Sequence, residues 1–384
     1  MAVIFAAALS LVIAGCSSTG GGSEPSGSSA PLTYRTASGT CAVQPNAGID
    51  EAAATSYLKP FLAGPKGLLV TDKLPKPVNP DTTVTYLNNG TVIGGLMEGY
   101  MKEATKAAGV HFQNVDTGTD ANSINSALDS VVASKPNIVV SAALDATFFQ
   151  KQLKQLQDNG TVIVYIGAVN ADKFGLQDSV GGKGASEVNG KALAASAVYF
   201  TCGTGTNFAF YNIPEFAFSQ VQLDAAKAEL KQLCPKCTLR TVDISITDPS
   251  PADKIVSDLQ AHPDTQFFIT PGDQFQIGLG QKAKLAGVTN AKGIGQSSVA
   301  PNIQQIAGGQ QTAGFAVDYD MYIWMALDEG FRRLQGQDVK YDDWSKVVLS
   351  MSRVLTEKTA KDYSTPAGYI ADPNMAAEFV KLWK

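Results

Sequence analysis

Thr83-Val84-Thr85-Tyr86-Leu87-Asn88-Asn89-Gly90 is the stretch on which the fold reading turns. A run of β-branched and aromatic residues closed by an Asn-Asn-Gly turn cluster reads as a strand. Val92, Leu96 and Tyr100, with Ile93, Met97 and Met101, then recur at helical spacing as far as Gly109. The same rhythm continues outward. His111 to Val115 is the next strand, and Ile124, Leu128, Val131 and Val132 mark a helix. Ile138-Val139-Val140 is a short buried strand, Phe148 to Leu156 a helix, and Val162 to Ile166 a strand. A second half repeats the pattern: strands at Asn207 to Tyr211, Thr238 to Ile244 and Phe267 to Ile269, with a strand end at Gly293-Ile294-Gly295. Helices lie between them at Phe216 to Leu233, Ala252 to Ala261 and Phe275 to Ala286. Alternating strands and helices imply parallel sheets covered on both faces. The fold class is therefore α/β, with two doubly wound parallel-sheet lobes whose strand ends face each other across a ligand cleft.

The chain has 384 residues, 44% of them hydrophobic, which is ample for two lobes with sizeable cores. Its net charge is -5, and Lys and Arg are scattered without a basic stripe, so nucleic acid is not an expected partner. Residues 31–80 form a Pro-rich extension with one helix near Asp50 to Leu58; the sequence assigns it no role.

From Ala2 to Gly15 the only polar interruption is Ser10. The run is too short to span a bilayer, which takes roughly 20 residues, and it suits the apolar region of an export signal. It ends in Ile13-Ala14-Gly15-Cys16, which resembles the lipobox of bacterial lipoproteins and implies lipidation of Cys16. No Lys or Arg follows Met1, a departure that fits a start further upstream. Residues 1–15 are thus expected to be a signal peptide, and the Ser/Gly-rich residues 16–30 a flexible tether at the outer face of a membrane. The remaining cysteines, Cys41, Cys202, Cys234 and Cys237, read as two disulfides of open pairing, since four cysteines allow three connectivities. Cys234-Pro235-Lys236-Cys237 also has the spacing of a redox or half-zinc motif. It has no second such pair, and the only histidines are His111 and His262, so no metal site is expected.

Leu87-Asn88-Asn89 with Glu98 to Ala104 and Ala107-Ala108-Gly109 resembles the opening of ribose-type periplasmic binding proteins. Further resemblance lies in Leu259 to Asp264 leading to Gly272-Asp273 and Gly278, in Ile306 to Val317, and in Phe331 to Gly336. It covers roughly residues 82 to 384. The resemblance implies a type I binding-protein fold with three hinge crossings, near Val180 to Lys183, Val317 to Tyr319 and Val347 to Leu355. The first lobe would take 81–182 with 318–350, the second 183–317 with 351–384. It also implies capture of a small solute by a monomer, and delivery to the permease subunits of an ABC importer. Sugar-responsive repressors share the fold but carry a DNA-binding motif where this chain has its lipobox.

The resemblance places candidate ligand contacts at Asn88, Asn89, Gly167, Phe216, Gln220, Gln222, Asp273, Ser297 and Asp318. Asn88 and Asn89 read equally as a turn opening a helix, and Asp273 reads first as a helix cap. Where the family's pattern has Asp-Arg this chain has Gly167-Ala168, and Gln220 or Gln222 stands at its usual arginine. Phe216 and Phe218 could stack on a ligand or fill the core, and the same holds for Phe148 and Phe149. With the arginine and carboxylates missing, a neutral ligand is expected: a sugar, a sugar alcohol, or a less polar compound such as a nucleoside or aromatic. No cofactor is expected. No Gly-x-Ser-x-Gly elbow or phosphate loop is present, so an enzyme is not expected. A protein presenting its ligand to a receptor kinase is the rival role.

Overall fold

In the computed structural model, which describes residues 31–384 apart from 119, 143, 145, 290 and 291, helix α1 (Glu51–Ala63) precedes the alternating units. The first lobe runs β1 (Thr83–Asn88), α2 (Val92–Ala108), β2 (His111–Asp116), α3 (Ala121–Ser134), β3 (Ile138–Ala142), α4 (Gln150–Asp158) and β4 (Val162–Ile166). Its elements begin where the sequence supplies caps. Thr91 accepts from the Gly94 amide at the start of α2, and Asp120 accepts from Asn122 and Ser123 at the start of α3. Gly109 takes the left-handed conformation that ends α2. The four strands pair in parallel in the order β2-β1-β3-β4.

The second lobe runs α5 (Lys183–Phe200), β5 (Asn207–Asn212), α6 (Ala217–Leu233), β6 (Thr238–Asp243), α7 (Pro251–Ala261), β7 (Phe267–Thr270), α8 (Leu279–Leu285), β8 (Gly293–Ser298), α9 (Ala300–Ala307) and β9 (Ala313–Val317). After α10 (Tyr319–Leu334) and α11 (Trp344–Met351), the antiparallel edge strand β10 (Ser352–Thr356) completes the order β10-β9-β8-β7-β5-β6. The short helix α12 (Glu357–Ala360) and α13 (Met375–Trp383) end the chain. Phe275 to Ala286 is not one helix as predicted: Gly278, in left-handed conformation, separates a 3₁₀ turn from α8.

Helix α5 has no counterpart in the sequence reading. It is Ala-rich, and from Ala192 to Phe200 it is buried all round, so that half carries no amphipathic signature. It packs so closely on α6 that a Cβ at Gly190 would lie 2.3 Å from the Gln222 carbonyl oxygen.

The three anticipated crossings are present. Val180 lies in the first lobe's core and Ala185 in the second's, Val317 ends β9 beneath the first lobe, and Val347 and Val348 divide between the two cores. Two further crossings correct the expected boundaries. The predicted second-lobe segment 351–384 divides: β10 and α12 stay with the second lobe, and from Met375 onward the chain returns to the first. Trp383 stacks on Trp324 at 5.2 Å and its indole donates to Asp328 at 2.9 Å, while Met375 and Phe379 join the same core. The extension also divides. Arg35 and Asp50 donate backbone bonds to Phe200 and Leu233 of the second lobe, whereas Leu74 and Val78 donate to Leu382 and Trp383 on the first. Residues 31–80 thus form a strap over both lobes rather than a separate appendage.

Two disulfides form among the described cysteines, Cys41–Cys202 and Cys234–Cys237. The first pins the strap to the loop after α5 across 161 residues of sequence. The second closes the turn between α6 and β6. The expected signal segment, Cys16 and the tether lie outside the described residues. Replacing Cys41 and Cys202 together by Ser should lower the unfolding free energy by about 2–4 kcal/mol. Denaturant titration of oxidised wild type against the double variant measures this, and equal midpoints would show that the bridge adds nothing.

Candidate functional site

In a doubly wound sheet, the loops on either side of the point where strand order reverses leave in opposite directions and open a crevice at the carboxyl ends of the strands. Both sheets have such a point: between β1 and β3 in the first lobe, and between β5 and β7 in the second. One chamber of about 130 Å³ draws on both. The first lobe supplies Asn89, Ala142 and Gly167; the second supplies Ile213, Phe216 and Gly272. The crossings supply Gly181, Val317, Tyr319 and Met351. The chamber therefore sits between the lobes and beside the hinge.

Of the residues anticipated from sequence, Asn89, Gly167, Phe216, Gln222 and Ser297 come together here. Asn89 is held by its own loop: its amide donates to the Ala142 carbonyl and its oxygen accepts from the Thr91 hydroxyl and amide. Ser297 occupies an irregularity in the pairing of β8 with β9, with φ +68°, a left-handed conformation uncommon for a residue with a side chain. Its hydroxyl donates to Gln296 Oε1. Phe216 and Phe218 both line the chamber, stacked with ring centres 5.1 Å apart. Phe148 and Phe149 do not line it; Phe149 is in the core of the first lobe.

The other four candidates are engaged elsewhere. Asn88 closes the turn, accepting from the Gly90 amide and donating to Glu98. Gln220 faces solvent and donates to Asp224. Asp318 caps α10, accepting from Asp320 and Met321, and its second oxygen accepts from the Ala371 amide at 2.6 Å. Asp273 is fully buried; it does not cap a helix either. Ser298 and Gln311 donate to its carboxylate, and Asn302 donates to its carbonyl, joining three segments of the second lobe.

Asn189 and Ser186 line the chamber from α5, and Gln274, Gln296 and Tyr322 add to its polar wall. Sequence reasoning did not name them. The signal for the first pair was a three-residue polar spacing in an Ala-rich helix. Tyr322 reaches the wall because Gly181, at φ +79°, leaves room: a Cβ there would lie 1.3 Å from the tyrosine oxygen.

No Asp, Glu, Lys, Arg or His is among the described residues lining the chamber. Burial pushes the Tyr319 hydroxyl up to about 12 and that of Tyr322 higher still, so both remain neutral donors. Two amide oxygens, Asn189 Oδ1 and Gln222 Oε1, are buried without a hydrogen-bond partner in the protein. Such an orphan acceptor costs roughly 1–3 kcal/mol, so the wall is built to receive donors from a bound molecule. Among the described residues there is no group of three or more His, Cys, Asp or Glu that could hold a metal ion.

Burial raises the carboxyl of Asp273 from 3.8 to about 7. The folded chain therefore holds a proton there that the unfolded chain releases above pH 4. Its stabilising contribution is fully present below pH 3.8 and is lost as pH rises to about 7, with a slope of at most about 1.4 kcal/mol per pH unit. Comparing wild type with Asp273→Asn between pH 4 and 8 should show this slope in the first and a flatter profile in the second. Parallel profiles would refute it.

Residues 78–338 match a family of periplasmic binding protein domains. Among solved structures, a solute-binding protein of an ABC transporter from Agrobacterium vitis, with bound allitol, superposes with a TM-score of 0.62 at 17% identity. The match covers 74% of this chain and 98% of that one. A carbohydrate transporter from Acidothermus cellulolyticus, in complex with myo-inositol, gives 0.62 at 16% identity over 74% and 97%. A putative LacI transcriptional regulator from Bacteroides fragilis gives 0.61 at 12% identity over 74% and 99%. No curated protein sequence is a significant match. The two parallel-sheet lobes, the cleft at their strand ends and the match over residues 78–338 together place this chain in the family of periplasmic binding protein domains.

Proposed function

We propose that the protein is an extracytoplasmic solute-binding lipoprotein. It takes a small neutral solute, a sugar or sugar alcohol, between its lobes and hands it to an ABC importer. The observation that carries this reading is the uncharged chamber between the two lobes, lined by amides, hydroxyls and aromatic rings, with two buried amide oxygens left unpaired. Hydroxyl groups of a polyol supply donors to Asn189 and Gln222 and acceptors for the amide and phenol donors of the wall. The faces of Phe216 and Phe218 suit the apolar side of a ring. An anion or cation would lose its hydration shell there and gain no opposite charge. Allitol and myo-inositol, the neutral polyols bound by two of the structural neighbours, are of the same chemical class. The lipobox ending at Cys16 and the tether after it support attachment to the outer face of the membrane.

Ligand contacts to both lobes exist only when the lobes are together, so binding shifts the hinge equilibrium by the ligand's differential affinity. The closed pair is the form a permease would read.

A thermal-shift panel of neutral hexoses, pentoses, inositols and alditols tests the reading. A ligand at a hundred times its dissociation constant stabilises the fold by about 2.7 kcal/mol, and a panel without any shift would remove the sugar assignment. Gln222→Ala and Asn189→Ala should each weaken the best hit by about tenfold or more, since each removes a buried hydrogen bond. Calorimetry reads the loss, and unchanged affinity in both variants would move the site elsewhere. Cys16→Ser should abolish incorporation of labelled fatty acid and release the protein from the membrane fraction. Retention of the label would refute lipidation at Cys16.

A further inference from the structure

The inner chamber opens into a second, larger one. An outer chamber of about 890 Å³ shares with it Asn89, Thr91, Phe216, Gln274, Phe275 and Tyr319. The two are therefore parts of one cleft. Their chemistry differs. The inner wall carries the amides Asn189, Gln222 and Gln296, none of which reaches the outer chamber. The outer wall adds Val92, Leu96, Ile246, Ile277 and Val299, and is closed on one side by residues 366–369 of the C-terminal crossing. It has no Asp, Glu, Lys, Arg or His among its described lining residues either.

Three outer-chamber side chains are exposed to an unusual degree: Val92 at 81%, Leu96 at 38% and Ile277 at 43%. They come from both lobes, Val92 and Leu96 on α2 and Ile277 between the 3₁₀ turn and α8. Isolated exposed apolar residues need no explanation, but a contiguous set rimming a pocket marks a binding surface. The inner chamber has room for little more than one small ring, while the outer one is several times larger and apolar. A free polyol seated on the inner amides would leave this surface in water.

We infer that the solute is a neutral two-part molecule, a glycoside. Its polyhydroxylated head sits on Asn189 and Gln222 in the inner chamber, and its aryl or alkyl aglycone lies in the outer one against Val92, Leu96 and Ile277. This rests on the solute-binding reading and narrows its substrate class. An aromatic aglycone would meet the face of Phe216, which borders both chambers. It would gain from burial against both lobes, and so favour their closure as the head does.

The test compares matched pairs: methyl and phenyl β-glycosides of glucose, galactose, mannose and xylose. They are titrated calorimetrically into the full-length protein, purified without glycoside detergents. For the sugar that binds, the phenyl glycoside should bind at least tenfold more tightly than the methyl glycoside. In Val92→Asp and in Ile277→Asp, both at exposed positions, that ratio should fall toward one while the melting temperature stays at the wild-type value. Equal affinity of the two glycosides in the wild type, or a ratio that survives both substitutions, overturns the inference and leaves the solute-binding reading standing. Binding of neither glycosides nor free sugars overturns both.

Discussion

Where strand order reverses in a parallel sheet, two neighbouring loops leave toward opposite faces, and the carboxyl ends of the strands between them cannot be covered by either. This chain carries that uncovered point twice, and the hinge turns the two toward each other. The layout of the cleft answers to that constraint. Backbone groups exposed at the reversals are met by short polar side chains, as Asn89 meets Ala142 in the first lobe. Between the two reversals lies a small chamber walled by neutral groups.

The neutrality has a structural cause as well as a functional consequence. The carboxylates near the cleft are used as internal fasteners. Asp273 joins three segments of the second lobe, and Asp318 caps α10 and holds the C-terminal crossing through Ala371. A carboxylate with its oxygens occupied by internal donors has little left to offer a solute. The amides on α5 and α6 have free acceptors instead, because the close approach of those helices buries Asn189 and Gln222 without giving their oxygens partners. Recognition therefore falls to hydrogen bonds and ring faces rather than charge.

The strap and the C-terminal helix add to this architecture. The first lobe's outer layer includes Leu74, Val78, Phe379 and Trp383, drawn from the two ends of the described chain and tied together by backbone hydrogen bonds. The Cys41–Cys202 bridge fastens the other end of the strap to the second lobe. Lobe motion must accommodate five covalent crossings, and one of them contributes residues 366–369 to the wall of the outer chamber. The C-terminal crossing is thus placed to feel both the ligand and the hinge.

Much of the fold was legible because strand and helix periods are local properties. β4 was read at its full extent and β1 to within a residue, and the alternation fixed a pair of parallel sheets. Cysteine parity anticipated two bridges but left their pairing open, since pairing depends on which loops meet. Helix α5 escaped notice because its exposed residues, Lys183, Glu187 and Lys191, mark only its first half, and the Ala-rich second half is buried on all sides with no polar face to set a period. The site was half legible: Asn89, Gly167, Phe216, Gln222 and Ser297 sit at strand ends and helix starts, where topology alone carries residues to the cleft. Asp273 and Asp318 looked like ligand contacts for the same reason, yet each found several donors within its own surroundings. By itself the sequence determined the alternating α/β units, the apolar run that ends in a lipobox-like cysteine and the shortage of charge at the expected contacts. Only the tertiary structure decided which polar groups face the cleft, because that depends on helix rotation, on the irregular backbone at Ser297, and on competition for hydrogen bonds among residues far apart in the chain.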